Sequence, residues 1–202
     1  MEKISLSRQV IARVLSDVFS PPVVWGVLSI PIAVRAAGSV SLAVPWAIIY
    51  IVFVCILPAV YIVVQVLRGK ITDIHVRVRQ QRILPFLITV GCSALAWALL
   101  SVLGSPLLLT QFALITTLQV FMILVITLWW QISLHAMSIM TAVIVVGALY
   151  GFAPALVATP LIPIVGAARV VLRRHTVQQV IAGGLLGAAM TLTMVLLMGI
   201  SF

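Results

Sequence analysis

The chain has 202 residues, of which 64% are hydrophobic and only 7% charged. A soluble domain carries about 25% charged residues, and no water-soluble fold of this length could hide so much apolar surface, so the solvent is lipid. The net charge of +9 sets twelve Lys and Arg against three acidic residues; in a lipid-dissolved chain it reads as basic loops rather than as a nucleic-acid surface.

Backbone groups in lipid must bond within their own segment, which leaves helices or a closed barrel. Barrel strands alternate apolar and polar residues over about ten positions, whereas the run Trp46–Leu67 is unbroken. The expected fold is therefore all-α: a polytopic bundle of six or seven transmembrane segments plus an N-terminal interfacial helix, forming a single membrane domain over 1–202.

Residues 1–20 place Ile4, Ile11, Val14, Leu15 and Val18 near one helical face, away from Lys3, Arg8 and Asp17. That pattern predicts an amphipathic helix lying in the interface before Pro21-Pro22. Arg8, Arg13 and Asp17 leave no room for the apolar core of a cleavable signal. The first apolar segment, 23–34, is short and ends at Arg35. Longer spans follow at 42–67, 83–103 and 107–128, the last two separated by Gly104-Ser105-Pro106. A fifth is predicted at 132–150, broken by Gly151-Phe152-Ala153-Pro154. Segment 155–167 contains Pro160 and Pro163 and is expected to be kinked or half-spanning. The last span, 178–200, carries Gly183 and Gly187, a GxxxG spacing that predicts a close helix-packing face. Cys55 and Cys92 both fall inside spans and carry no redox motif.

Alternation of the spans puts the N-terminal segment, the 68–82 loop, the Trp129–His135 turn and 168–177 on one side. Eleven of the twelve basic residues then share that side, with Arg35 alone opposite. By the positive-inside rule the shared side is cytoplasmic and the membrane an inner or plasma membrane. Trp129-Trp130 marks its interface, and Arg173 and Arg174 suit anionic headgroups.

His75, His135 and His175, the only histidines, all fall on this basic side. Three imidazoles can hold zinc, but a crowd of cations disfavours a divalent ion, so no metal or other cofactor is expected. An anion suits the setting better: guanidinium forks match phosphate oxygens, and a histidine can attack or protonate a phosphoryl group.

Three segments carry these residues in order: Lys70-ITDIHV-Arg77-Val78, Ile132-Ser133-Leu134-His135, and Ala168-Arg169-VVLRR-His175-TVQ-Gln179. Region 70–187 resembles the type 2 phosphatidic acid phosphatase and vanadium haloperoxidase superfamily, whose motifs read KxxxxxxRP, PSGH and SRxxxxxHxxxD. Six of the eleven motif positions match: Lys70, Arg77, Ser133, His135, Arg169 and His175. Arg82 with Pro85 offers a second alignment for the first motif. The resemblance implies a hydrolase acting on a lipid phosphate or isoprenoid diphosphate. In it His175 is the nucleophile, His135 protonates the leaving alkoxide, and Lys70, Arg77, Ser133 and Arg169 cradle phosphate oxygens. Gln179 stands where the family has the aspartate that orients the nucleophile, supplying an acceptor without charge. Leu134 replaces a glycine, Ala168 a serine, and Val78 and Ile132 stand in place of prolines. These departures also fit a catalytically inactive member serving as a structural or accessory subunit of a membrane complex. The implied partners are membrane lipids, a phosphorylated lipid or isoprenoid, and other subunits. His75 receives no role.

Overall fold

A computed structural model describes residues 6–200, and every regular element among them is helical. The chain is an all-α membrane protein. Lys3 and Ile4 of the predicted amphipathic segment lie outside the described residues. The chain groups into two compact units, one formed by Trp25–Trp130 and the other by Met1–Val24 with Gln131–Phe202.

The unit Trp25–Trp130 holds most of α2 (Pro21–Ala37), then α3 (Val40–Tyr50), a π-helical turn (Ile51–Ile56) and α4 (Leu57–Leu67). From Val40 to Leu67 these form one continuous span of 28 residues. The π turn has an identifiable cause. Leu57 donates to Val52 O, five residues back, and the next residue, Pro58, has no N–H to return to the carbonyl four residues back. After a loop and a 3-10 turn (Arg79–Arg82), α5 (Ile83–Val102) and α6 (Leu107–Thr127) pack as an antiparallel pair. Gly104, at φ +76°, makes the left-handed turn between them. The buried Tyr50 donates to or accepts from Thr116 Oγ1 at 2.9 Å and stacks on Phe112 with ring centres 5.2 Å apart. This holds α3 to α6. Arg79 closes the lower end by donating to Thr127 O and Leu128 O, the last carbonyls of α6. Those groups have no helical partner and carry the negative end of the helix dipole.

The other unit contains α1 (Leu6–Val18), α7 (Leu134–Tyr150), α8 (Phe152–Ala158), α9 (Leu161–Val171) and α10 (Val177–Leu197). Its apolar core joins Val24, Ile139 and Val165, with Phe19, Ala142, Leu161 and Ile162 packed around them. The α7–α10 pair is unusually close. A Cβ on Gly187 would lie 2.6 Å from Met137 O, and one on Gly183 would collide with Ser133 O. The GxxxG spacing is therefore a helix-packing face, as predicted. Thr191 Oγ1 also donates to Thr141 Oγ1 at 3.1 Å, both side chains fully buried, which satisfies polar atoms where water is absent.

Segment 155–167, expected to be kinked or half-spanning, divides into two helices at Thr159-Pro160. Read together, α8 and α9 form a span of 20 residues, Phe152–Val171, long and apolar enough to cross. Pro160 is the N-cap of α9, where the new helix starts, and Pro163 sits in its first turn, where a backbone N–H has no helical acceptor, so Pro163 leaves α9 unbroken. By contrast α7 is the short helix. Its 17 residues span about 26 Å at 1.5 Å per residue, less than a hydrocarbon core of about 30 Å. Among the described residues five helices are long and apolar enough to cross a membrane, or six if α1 and α2 count as one bent span.

Candidate functional site

The second and third sequence motifs meet in the unit built from α1, α7, α8, α9 and α10. Ser133 is the N-cap of α7, its hydroxyl accepting from Ala136 N–H at 3.3 Å. Its own N–H donates to Gln179 O at 3.0 Å, which ties segment 133–135 to the first turn of α10. The glycines of α10 permit this approach, because any side chain at Gly183 would meet the Ser133 carbonyl.

Arg169 occupies the last turn of α9, where a cation complements the helix dipole. Beyond it the helix ends in a Schellman-type turn. Arg173 adopts φ +52°, its N–H bonds Val170 O at 2.9 Å, and Arg174 N–H bonds Arg169 O at 3.0 Å. The left-handed residue turns the chain back, so His175 enters the interior and its N–H approaches the same carbonyl at 3.4 Å. Thr176 then caps α10.

Four of the predicted site side chains are buried here: Ser133, His135, Arg169 and His175, with Arg169 only 1% exposed. The junction between them is made by a residue the motifs do not contain. Ser16, in the last turn of α1, is fully buried. Its hydroxyl accepts from Arg169 Nη1, a group that can only donate. Its carbonyl oxygen lies 3.1 Å from His135 Nε2, and its Oγ 3.4 Å away. A carbonyl only accepts, so this contact is a hydrogen bond when His135 carries its proton on Nε2. Three helices thus converge on one serine. Its separation from its partners, 119 and 153 positions along the chain, explains why no local motif pointed to it. The only local signal was its place four residues after Ala12, which marks the buried stripe of α1.

The electrostatics of this end are set by helix termini as well as side chains. The N-termini of α7 and α10, 17 and 21 residues long, lie together at the Ser133–Gln179 link. Each contributes the positive end of a dipole and unsatisfied N–H groups. With the buried guanidinium of Arg169, the end is arranged to favour negative charge.

The remaining predicted residues are placed otherwise. Gln179 is half-buried, and its side-chain oxygen accepts the Thr176 N–H at 3.0 Å while Thr176 Oγ1 accepts the Gln179 N–H at 3.3 Å. That is a reciprocal capping box, a structural use of the glutamine at the start of α10. Lys70 and Arg77 belong to the other unit, where both are exposed on the 68–78 loop. The buried arginine lies just beyond that loop: Arg82, at the end of the 3-10 turn, whose Nε donates to Val76 O at 2.7 Å. Val76 is itself held at φ +46°, a costly conformation for a β-branched residue. His75 donates its backbone N–H to Asp73 Oδ1 at 2.8 Å, closing the turn before it. Among the described residues, no three His, Cys, Asp or Glu side chains gather as a metal-ligand group.

No protein-family model, curated protein or solved structure matches this chain.

Proposed function

We propose that this protein is an integral membrane phosphatase-like protein that takes the phosphate of a lipid or isoprenoid at the Ser133–His135–Arg169–His175 end of its α7–α10 bundle. The observation that carries this reading is the convergence itself. Two segments with phosphatase-type spacing, separated in sequence, are joined by the Ser133 N–H to Gln179 O bond. Both helix N-termini and a buried arginine lie at that join. A phosphate there would gain fixed donors in a water-poor setting, which is where such donors stabilise equatorial oxygens most.

In the mechanism this reading implies, the His175 nitrogen lone pair attacks phosphorus and the P–O ester bond breaks. The departing alkoxide takes the proton held on His135 Nε2. Water then cleaves the N–P bond, His135 accepting its proton and releasing inorganic phosphate. Ser133 and Arg169 hold the phosphoryl oxygens. The positive-inside charge count supports a site on the cytoplasmic side of an inner or plasma membrane. Phosphate release from a panel of lipid phosphates by the purified protein tests the reading, with His175→Ala as control. Release well above that control supports turnover; equal background from both removes it.

One observation favours a second reading, a non-hydrolysing accessory subunit that keeps the fold. The Gln179 side-chain oxygen serves the capping box and brings no negative charge to stabilise a charged His175. Co-purification of a membrane partner at fixed stoichiometry, without phosphate release, would establish it.

A further inference from the structure

The helix α1 buries almost nothing apolar. Its buried residues are Ala12 and Ser16 on a helix packed against α9, Leu15 is half-buried, and Leu6, Val10, Ile11, Val14 and Val18 are all more than half exposed. In lipid those side chains keep an apolar environment whether α1 lies against α9 or away from it, so apolar burial does little to hold it in place. What is specific about the docked position is Ser16. As one of the last residues of the helix it has a carbonyl without an obligatory helical donor. The Ser20 N–H, four residues on, turns to Asp17 O at 3.2 Å instead, and Pro21 and Pro22 have no N–H to offer. The Ser16 carbonyl is therefore free to reach His135 Nε2 at 3.1 Å while its hydroxyl takes Arg169 Nη1. One residue presents two oxygens to a guanidinium and an imidazole, as two oxygens of a phosphate would.

We propose that α1 is the gate of the phosphate site: Ser16 occupies the donors of Arg169 and His135, and a phosphate-bearing ligand binds when α1 swings away from α9 into the lipid interface. This rests on the phosphate-site reading above and adds its regulation. The hinge is the Phe19-Ser20-Pro21-Pro22 segment. Phe19 packs on the Val24–Ile139–Val165 core, which anchors the hinge while α1 moves. A ligand competing with a docked α1 binds with an apparent Kd raised by the inverse of the open fraction. Loosening the dock therefore tightens binding without adding a contact.

The test measures binding of a short-chain phosphatidic acid, and separately of inorganic phosphate, to the purified full chain in detergent. Wild type is compared with Ser16→Ala, which removes the hydroxyl contact, and with Ala12→Leu, which pushes α1 off α9 and leaves Ser16 intact. Arg169→Ala serves as the site control. Both gate variants are expected to bind about tenfold tighter than wild type, equivalent to about 1.4 kcal/mol, with binding lost in the control. Tightening for the lipid alone identifies a headgroup as the ligand, whereas tightening for both identifies the phosphate itself; either supports the gate. If wild type binds and Ser16→Ala binds equally or more weakly, the gate is overturned and the phosphate-site reading stands. If neither wild type nor the two gate variants binds either ligand, both are overturned.

Discussion

Replacing Gly183 with alanine is expected to force α7 and α10 apart and to disturb the site from within the helix interface. The new Cβ would fall on the Ser133 carbonyl, closer than the 2.6 Å that a Cβ at Gly187 would leave to Met137 O. The obstructing atom is backbone, so no rotamer change relieves it, and the helices must separate by about 1 Å to reach ordinary contact. Overpacking of this kind costs about 2–3 kcal/mol. Losing the Ser133 N–H to Gln179 O bond adds about 1 kcal/mol, and the higher helix propensity of alanine returns about 1 kcal/mol. The net expectation is a destabilisation of about 2–3 kcal/mol. Gly91→Ala is the matched control, because Gly91 lies exposed within α5 and a Cβ there would meet nothing within 4 Å. It should be neutral or stabilising by up to about 1 kcal/mol. Reversible unfolding in bicelles by SDS titration, followed by far-UV circular dichroism, reads both. A Gly183→Ala protein as stable as Gly91→Ala would refute the close-packing account of α7 and α10.

Arg173→Gly should raise stability by about 1 kcal/mol, since glycine adopts the φ of +52° that an L side chain resists; the same titration reads the shift, and no gain would mean the turn is not strained. Arg79→Ala should cost about 1 kcal/mol and fray the end of α6, because Thr127 O and Leu128 O lose their cation. Hydrogen exchange at the amides of Leu128–Trp130 would report it, and unchanged protection would count against the cap. Gln179→Asp should increase phosphate release by about tenfold or more if His175 is the nucleophile, because a carboxylate near it stabilises the charged ring. Unaltered turnover alongside an active wild type would show that position 179 serves only the helix cap.

How much of this was legible in the sequence depends on the range of the forces involved. Lipid solvent, helical class and most span positions followed from unbroken apolar runs, because each helix satisfies its backbone internally and needs no partner to be recognised. The close face at Gly183 and Gly187 followed likewise from a spacing of four within one helix. Pro160 marked the division between α8 and α9, while Pro163 falls in the first turn of α9, where its missing N–H had no acceptor. The shortness of α7 also escaped, because Ile132 and Ser133 continue the apolar run while Ser133 caps the helix and starts it at Leu134.

The candidate site divides along the same line. Its residue types and spacings within each segment were readable from the chain. Tertiary structure alone decided that Ser133 meets Gln179, that the buried arginine of the 68–82 region is Arg82 rather than Arg77, and that Gln179 serves a capping box. It alone brought Ser16 of α1 between Arg169 and His135. Hydropathy and helical periodicity specify what each segment is, because they act over one turn or one span. Which donor finds which acceptor across more than a hundred residues is settled only when the helices pack.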